Sequence, residues 1–164
     1  MSSRSAGRTG PSERVALATR LRRVAAERGV SLATLAEIVE APYGSVRRMA
    51  SGSLVPRLDH ALRIAAALDV DLESLFFLAR TRRRRPPGVA TPSNAASCRL
   101  RSSLSRHLYR RDWSDGELAE DTGLRRERIN RIKNGRTSPT ILDALLIARA
   151  LGARIEDVFR LDAS

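Results

Sequence analysis

Gly123-Leu124-Arg125-Arg126-Glu127-Arg128-Ile129-Asn130-Arg131-Ile132-Lys133-Asn134-Gly135-Arg136 is the stretch that decides how this chain is read. The spacing predicts a short helix: Ile129 and Ile132, three apart, face inward, and Gly135 past the end supplies a left-handed cap. Wound at about 100° per residue, the opposite face carries Glu127, Asn130, Arg131 and Asn134, with Arg126 and Arg128 on its flanks. Six cations stand against one acid in this stretch. A helix with so little apolar surface and so many forked donors suits a groove of DNA better than a core.

The composition points the same way. The 164 residues carry a formal charge of +12, and 29 of the 30 cations are Arg, whose planar fork matches phosphate and guanine. A genome rich in G and C is the alternative source of such an Arg and Ala bias. With 42% apolar residues and only 4% aromatics, small helical units are favoured over a β-sandwich. Cys98 is the only cysteine, so no internal disulfide can form; the residue reads as a small apolar filler at a helix start. The longest apolar run, Leu75 to Ala79, is far too short to span a membrane. Met1 to Gly10 is polar and basic with no signal-peptide pattern, so the expectation is a soluble protein of the cytoplasm.

In chain order, residues 1–10 read as a disordered basic arm, with Arg4 and Arg8 either reaching a minor groove or simply solvated. A first domain is expected over residues 11–80. Its first helix runs from Pro11-Ser12 to about Arg28 with Leu17, Leu21, Val24 and Ala25 inward. Ser31 caps a second helix (Leu32, Leu35, Ala36, Val39), and Pro42 opens a third (Val46, Met49) that stops at Gly52. Pro56 introduces a fourth through Leu58, Leu62, Ile64, Ala65 and Leu68. Asp71 caps a fifth, from Leu72 to about Arg80. Residues 81–97, with Arg82, Arg83, Arg84 and Arg85 before Pro86-Pro87, read as an Arg/Pro-rich linker. From Cys98 the five-helix pattern starts again and defines a second domain over residues 98–164.

The restart is an internal repeat. A constant shift of 83 residues places Leu35-Ala36-Glu37 on Leu118-Ala119-Glu120, Arg48 on Arg131, Gly52 on Gly135 and Pro56 on Pro139. From Ser31 to Phe76 there are 15 identities in 46 positions, with no gap. Chance at this composition gives only about 3 or 4, so the chain is a duplication with two domains.

The second repeat, Ser114-Asp115-Gly116-Glu117-Leu118-Ala119-Glu120 through Gly123, Ile129, Arg131-Ile132, Gly135, Ser138-Pro139 and Leu145 to Val158-Phe159, resembles the lambda-repressor-like (Cro/XRE) helix-turn-helix family. The first repeat resembles it through Ser31, Leu35-Ala36-Glu37, Val46, Gly52, Pro56 and Leu58 to Phe76. The resemblance implies an all-α chain of two five-helix domains, with the third helix of each lying in a major groove of double-stranded DNA. It implies base reading from Arg126, Glu127 and Arg131, with Arg128 and Asn130 close by. Arg126 and Arg131 would grip guanines, and Glu127 would accept from a cytosine amine. Asn134 and Arg136 would hold phosphates. Ser114 with Glu117 reads as a capping box, and Ser138-Pro139 as a cap with proline at the first helical position.

Two departures from the family's pattern stand out. The place after the cap of the second helix, commonly a phosphate-touching Gln, holds Asp115 and, in the first repeat, Leu32. Neither can donate, so that clamp is absent or replaced. The place before the recognition helix, usually Ser or Thr, holds Arg125 and Pro42; the cap is lost, and Arg125 offers a phosphate contact in exchange. The first repeat's reader is weaker, presenting Tyr43, Gly44, Ser45, Arg47, Arg48, Ser51 and Ser53.

Residues 79–97 hold five Arg and no acid, so Arg82 to Arg85 are expected to track phosphates or a minor groove unless they form only a solvated spacer. About 20 residues of linker stretch to about 65 Å and average about 25 Å, against about 34 Å between successive major grooves. Both domains can therefore engage one asymmetric site within a monomer, a covalent pseudo-dimer, with a homodimer as the other possibility. The expected function is a sequence-specific repressor resembling phage immunity repressors, by analogy an actinobacterial one. The alternative is an antitoxin or adaptor whose first domain dimerises or binds a partner, and RNA binding ranks third. No enzyme, cofactor, small-molecule ligand or membrane is expected. Lys133 is the only lysine, so no serine–lysine self-cleaving site is implied, and His60 and His107 belong to different repeats.

Overall fold

The computed structural model describes residues 14–81, 88–89 and 100–162. The first half runs β1 (Arg14–Thr19), α1 (Leu21–Glu27), α2 (Leu32–Val39), α3 (Tyr43–Ala50), β2 (Leu54–Val55), α4 (Leu58–Leu68), α5 (Leu72–Leu75) and β3 (Phe76–Thr81). After β4 (Gly88–Val89), the second half runs β5 (Leu100–Ser102), α6 (Leu104–Arg111), α7 (Asp115–Thr122), α8 (Arg126–Lys133), α9 (Ile141–Leu151), α10 (Ile155–Val158) and β6 (Phe159–Leu161). The arm (1–10), Arg82 to Arg85 and Cys98 lie outside the described residues.

The two halves share one core pattern at the 83-residue shift. Leu21, Leu35, Val46, Leu58, Ile64, Leu72 and Phe76 are fully buried, and so are their counterparts Leu104, Leu118, Ile129, Ile141, Ile147, Ile155 and Phe159. Each such side chain contributes about 1.5–3 kcal/mol of transfer free energy, so this set fixes how the helices pack. The backbone repeats too. Left-handed residues close helices at Gly29 and Asp112, Glu40 and Gly123, Gly52 and Gly135, and Asp69 and Gly152, each pair 83 apart.

The chain is mostly helical but not all-α. Residues 14–19 form a strand where the first helix was expected, and 76–81 form another where the fifth helix was expected to continue. They pair antiparallel from Arg14↔Thr81 to Thr19↔Phe76. The second half repeats this on a smaller scale, Leu100↔Leu161 to Ser102↔Phe159, in place of a helix starting at Cys98. Alternate residues from Val15 to Thr19 are β-branched or leucine, and Phe76-Phe77 favours strand. The ladder's backbone hydrogen bonds outweigh the helical leaning of Ala and Leu. Thr19 Oγ1 then accepts from the Leu21 amide at 3.0 Å and starts α1. Within the expected linker, Gly88-Val89 pairs parallel with Leu54-Val55, directly after α3.

The halves meet across an approximate two-fold axis. The Leu58 amide donates to the Pro139 carbonyl and the Ile141 amide to the Pro56 carbonyl, both at 3.0 Å. These bonds interchange under the 83-residue shift, and between them lies an antiparallel bridge, Arg57↔Thr140, whose two residues are each other's counterparts. Arg154 Nη2 donates to Asp71 Oδ1 at 3.1 Å, and residues 71 and 154 are again counterparts. A contact between a residue and its own counterpart lies on the axis of an isologous interface. Around it α4 packs on α9, and α9 on β3. Phe76, Phe77 and Leu78 face Leu145, Ala148 and Ala153 across a shallow cleft.

Two expected caps are redrawn by these contacts. Thr140, not Ser138, caps α9, through a reciprocal box with Asp143, because Pro139 is held extended by its bond to Leu58. Asp71 precedes α5 without capping it, its carboxylate being turned to Arg154.

Candidate nucleic-acid interface

Helices α7 and α8 form a helix-turn-helix built from local bonds. Ser114 Oγ accepts from the Glu117 amide at 3.2 Å, and Glu117 Oε2 accepts from the Ser114 amide at 2.6 Å. That backbone bond from Ser114 holds the Glu117 carboxyl below its ordinary range. Gly123, at φ 75°, ends α7. Thr122 Oγ1 donates back to the Leu118 carbonyl at 2.7 Å and accepts from the Leu124 amide at 3.3 Å, which stiffens the turn. Buried Leu118, Ile129 and Ile132 fix the rotation of α8, so its polar residues face away from the core.

Those polar residues divide into two sets. Arg125, Arg126, Glu127, Arg131 and Arg136 are exposed, and their side chains make no hydrogen bond or ion pair among the described residues. Arg128, Asn130 and Lys133 are engaged internally. Arg128 Nε lies 3.1 Å from both carboxylate oxygens of Asp143, and its Nη2 closes the pair. This carboxylate, buried in the α9 cap, raises the Arg128 pKa despite partial burial. Lys133 Nζ donates to Asp115 at 2.7 and 2.9 Å, and Asn130 Nδ2 donates to the same carboxylate at 3.1 Å. Asn134 Nδ2 then donates to Asn130 Oδ1 at 3.2 Å, so the Asn130 amide is occupied at both ends. Burial raises the Asp115 pKa, but the hydrogen bonds from Lys133 and Asn130 and the charges of Lys133 and Arg126 outweigh it, and the net direction is down.

Asp115 therefore turns inward and ties α7 to α8. Sequence reading missed this, as it missed Asp143. Their partners lie 15 or 18 residues away, and no local period links them.

The first half offers the same scaffold with other chemistry. Ser31 Oγ accepts from the Thr34 amide at 3.1 Å, capping α2, and Val46, Met49 and Ala50 are buried under α3. Tyr43, Gly44, Arg47, Arg48, Ser51 and Ser53 are exposed and Ser45 is half-buried. The side chains of Arg47 and Arg48 have no partner among the described residues. Ser51 Oγ donates to the Arg48 carbonyl at 3.1 Å and lies 2.7 Å from Ser53 Oγ. Neither α3 nor α8 has a side-chain cap, since Pro42 and Arg125 stand at their N-caps. Among the described residues there is no metal-binding cluster of His, Cys, Asp or Glu, and no helix is long and apolar enough to cross a membrane.

Comparison with known proteins agrees with this geometry. Residues 20–78 match the model of the Cro/C1-type HTH DNA-binding domain, and residues 108–158 match a helix-turn-helix model. An uncharacterized HTH-type transcriptional regulator of Methanothermobacter thermautotrophicus is 41% identical over 64 residues, 38% of this chain and 93% of the relative. One from Archaeoglobus fulgidus is 46% identical over 63 residues, 38% of this chain and 90% of the relative. No solved structure matches. The chain belongs to the Cro/C1-type helix-turn-helix family of DNA-binding transcriptional regulators and carries the domain twice.

Proposed function

We propose that this regulator is a repressor, of the kind that maintains phage immunity, and that one chain occupies one operator made of two unlike half-sites. The observation that carries this reading is the reciprocal pair of bonds, Leu58 to Pro139 and Ile141 to Pro56, just beyond each recognition helix. A two-fold relation between the halves points α3 and α8 at DNA in opposite senses, as the two readers of a homodimer are pointed. The half-sites are then inverted with respect to each other, a direct repeat being disfavoured. Their sequences differ because the readers differ. Arg126, Glu127 and Arg131 read bases on one side, with Arg125, Asn134 and Arg136 on phosphates. Arg47 and Arg48, beside Tyr43, Ser51 and Ser53, supply the weaker side. Arg128 and Asn130, spent on Asp143 and Asp115, position the helix.

Selection of bound sites from random DNA, followed by footprinting and light scattering of the complex, tests the reading. One chain per site and two unlike inverted half-sites in adjacent major-groove segments are expected. A stable dimer protecting a perfect palindrome, or a site composed of direct repeats, overturns it.

A further inference from the structure

The interface between the halves sets two pairs of counterpart residues against each other. At most positions of an isologous interface a residue meets a different residue, so what a substitution does there depends on two positions in each half. Only on the axis does a position meet its own counterpart, and there the pairing rule is written by two residues alone. This chain has such contacts at 71/154 and at 57/140.

We propose that these axis positions make the interface heterotypic, accepting a first half against a second half and rejecting like against like. Asp71 meets Arg154 at 3.1 Å. Two first halves would bring Asp71 against Asp71, and two second halves would bring Arg154 against Arg154, replacing attraction by repulsion in either arrangement. At the other end of the axis, Arg57 and Thr140 form a non-hydrogen-bonded antiparallel pair, the kind in which facing side chains approach most closely. Thr140 is small and bonded to the Asp143 amide, so it yields room to Arg57. Arg57 is buried and bidentate on Asp59, at 3.0 and 2.9 Å. Two first halves would set two such guanidiniums side by side in this buried place. The duplication thus broke its symmetry on the axis, where a single substitution in one copy discriminates between pairings. The partner this face fits is an unlike half, which its own chain supplies, and pairing of two copies like against like is turned away. The inference rests on the interface and needs no DNA, so its failure is separable from that of the repressor reading.

Hydrogen exchange in the full chain reads the interface directly, because the Leu58 and Ile141 amides donate across it. Asp71→Arg or Arg154→Asp puts like charges on the axis, and each is expected to speed exchange at both amides about three- to tenfold at low salt, the scale of an exposed pair reversed in sign. The double reversal, Asp71→Arg with Arg154→Asp, restores the original rates. Arg110→Asp, on the exposed face of α6, is the control for net charge and leaves both amides unchanged. The proposal is overturned if either single reversal leaves both amides unchanged, if the double reversal fails to rescue them, or if Arg110→Asp accelerates them equally.

Discussion

Helices α3 and α8 occupy equivalent places on one scaffold and present different chemistry. The second reader is charged and ordered by its surroundings. Asp143 holds Arg128, and Asp115 holds Lys133 and Asn130, leaving Arg126, Glu127 and Arg131 as the free side chains. The first reader has Gly44 where the other has Glu127, Leu32 where the other has Asp115, and two unrestrained Arg. Buried positions barely distinguish the halves, since Leu35 and Leu118 or Val46 and Ile129 do the same work. Scaffold and exposed surface have thus diverged separately, and the difference between the halves lies in what the scaffold leaves exposed.

The comparison is broken most directly at its one identical outward position, Arg48 and Arg131. Arg131→Ala is expected to weaken specific binding by about 10- to 100-fold and relax discrimination at one base pair, the effect of losing a bidentate guanine contact. Arg48→Ala, combined with Arg47→Ala, should weaken binding by no more than about 10-fold and reduce the salt slope by about two, as lost phosphate contacts do. Fluorescence anisotropy on the selected operator across a salt series measures both. Equal losses of discrimination would erase the ranking of the halves. An unchanged salt slope in the first-half variant would make that half a docking domain.

A smaller effect is expected at Asp115. Asp115→Asn frees Lys133 for phosphate, so binding to non-cognate DNA should tighten about threefold and the salt slope should steepen by about one. The same carboxylate gives a pH dependence. Its pKa is depressed in the folded protein, so its stabilisation is present above the ordinary Asp value and is lost as pH falls through the folded one. The tie between α7 and α8 should therefore loosen only below about pH 4. Exchange of the α8 amides during acid titration would show it, and loosening near neutrality would contradict the assignment.

The smallest effect compares the helix ends. Asp69 adopts φ 53° where its counterpart is Gly152 at φ 59°, and an acid there also opposes the helix dipole. Asp69→Gly should stabilise the first half by about 0.5–1 kcal/mol in urea unfolding. A loss of stability would mean that the carboxylate has a role that its position does not reveal.

Much of this was legible in the sequence, because the signals were local. Ser31, Ser114 and Glu117 cap as their spacing predicts, and Gly123 and Gly135 close helices through left-handed geometry. The 83-residue repeat survives in the buried positions. What escaped was non-local. Arg14–Thr19 becomes a strand only because Phe76–Thr81 lies alongside, some sixty residues later, and within its own window Ala and Leu favour helix. Pro56 introduces α4 as its position predicts, whereas Pro139 stands before the Thr140 cap rather than inside α9, and nothing around either says that its carbonyl is taken by the other half. Asp115 read as a missing donor because its role depends on the helix it touches.

The axis also bears on how a gene would respond to this protein. A repressor that must dimerise before binding is depleted as the square of its concentration, so its control is steep at low abundance. Here the two halves meet through an interface internal to one chain, where the effective local concentration does not fall on dilution. If one chain occupies one operator, as proposed above, occupancy follows the first power of the number of molecules. On that reading repression is a graded function of dosage, and the loss of half the molecules removes no more than half of those able to bind.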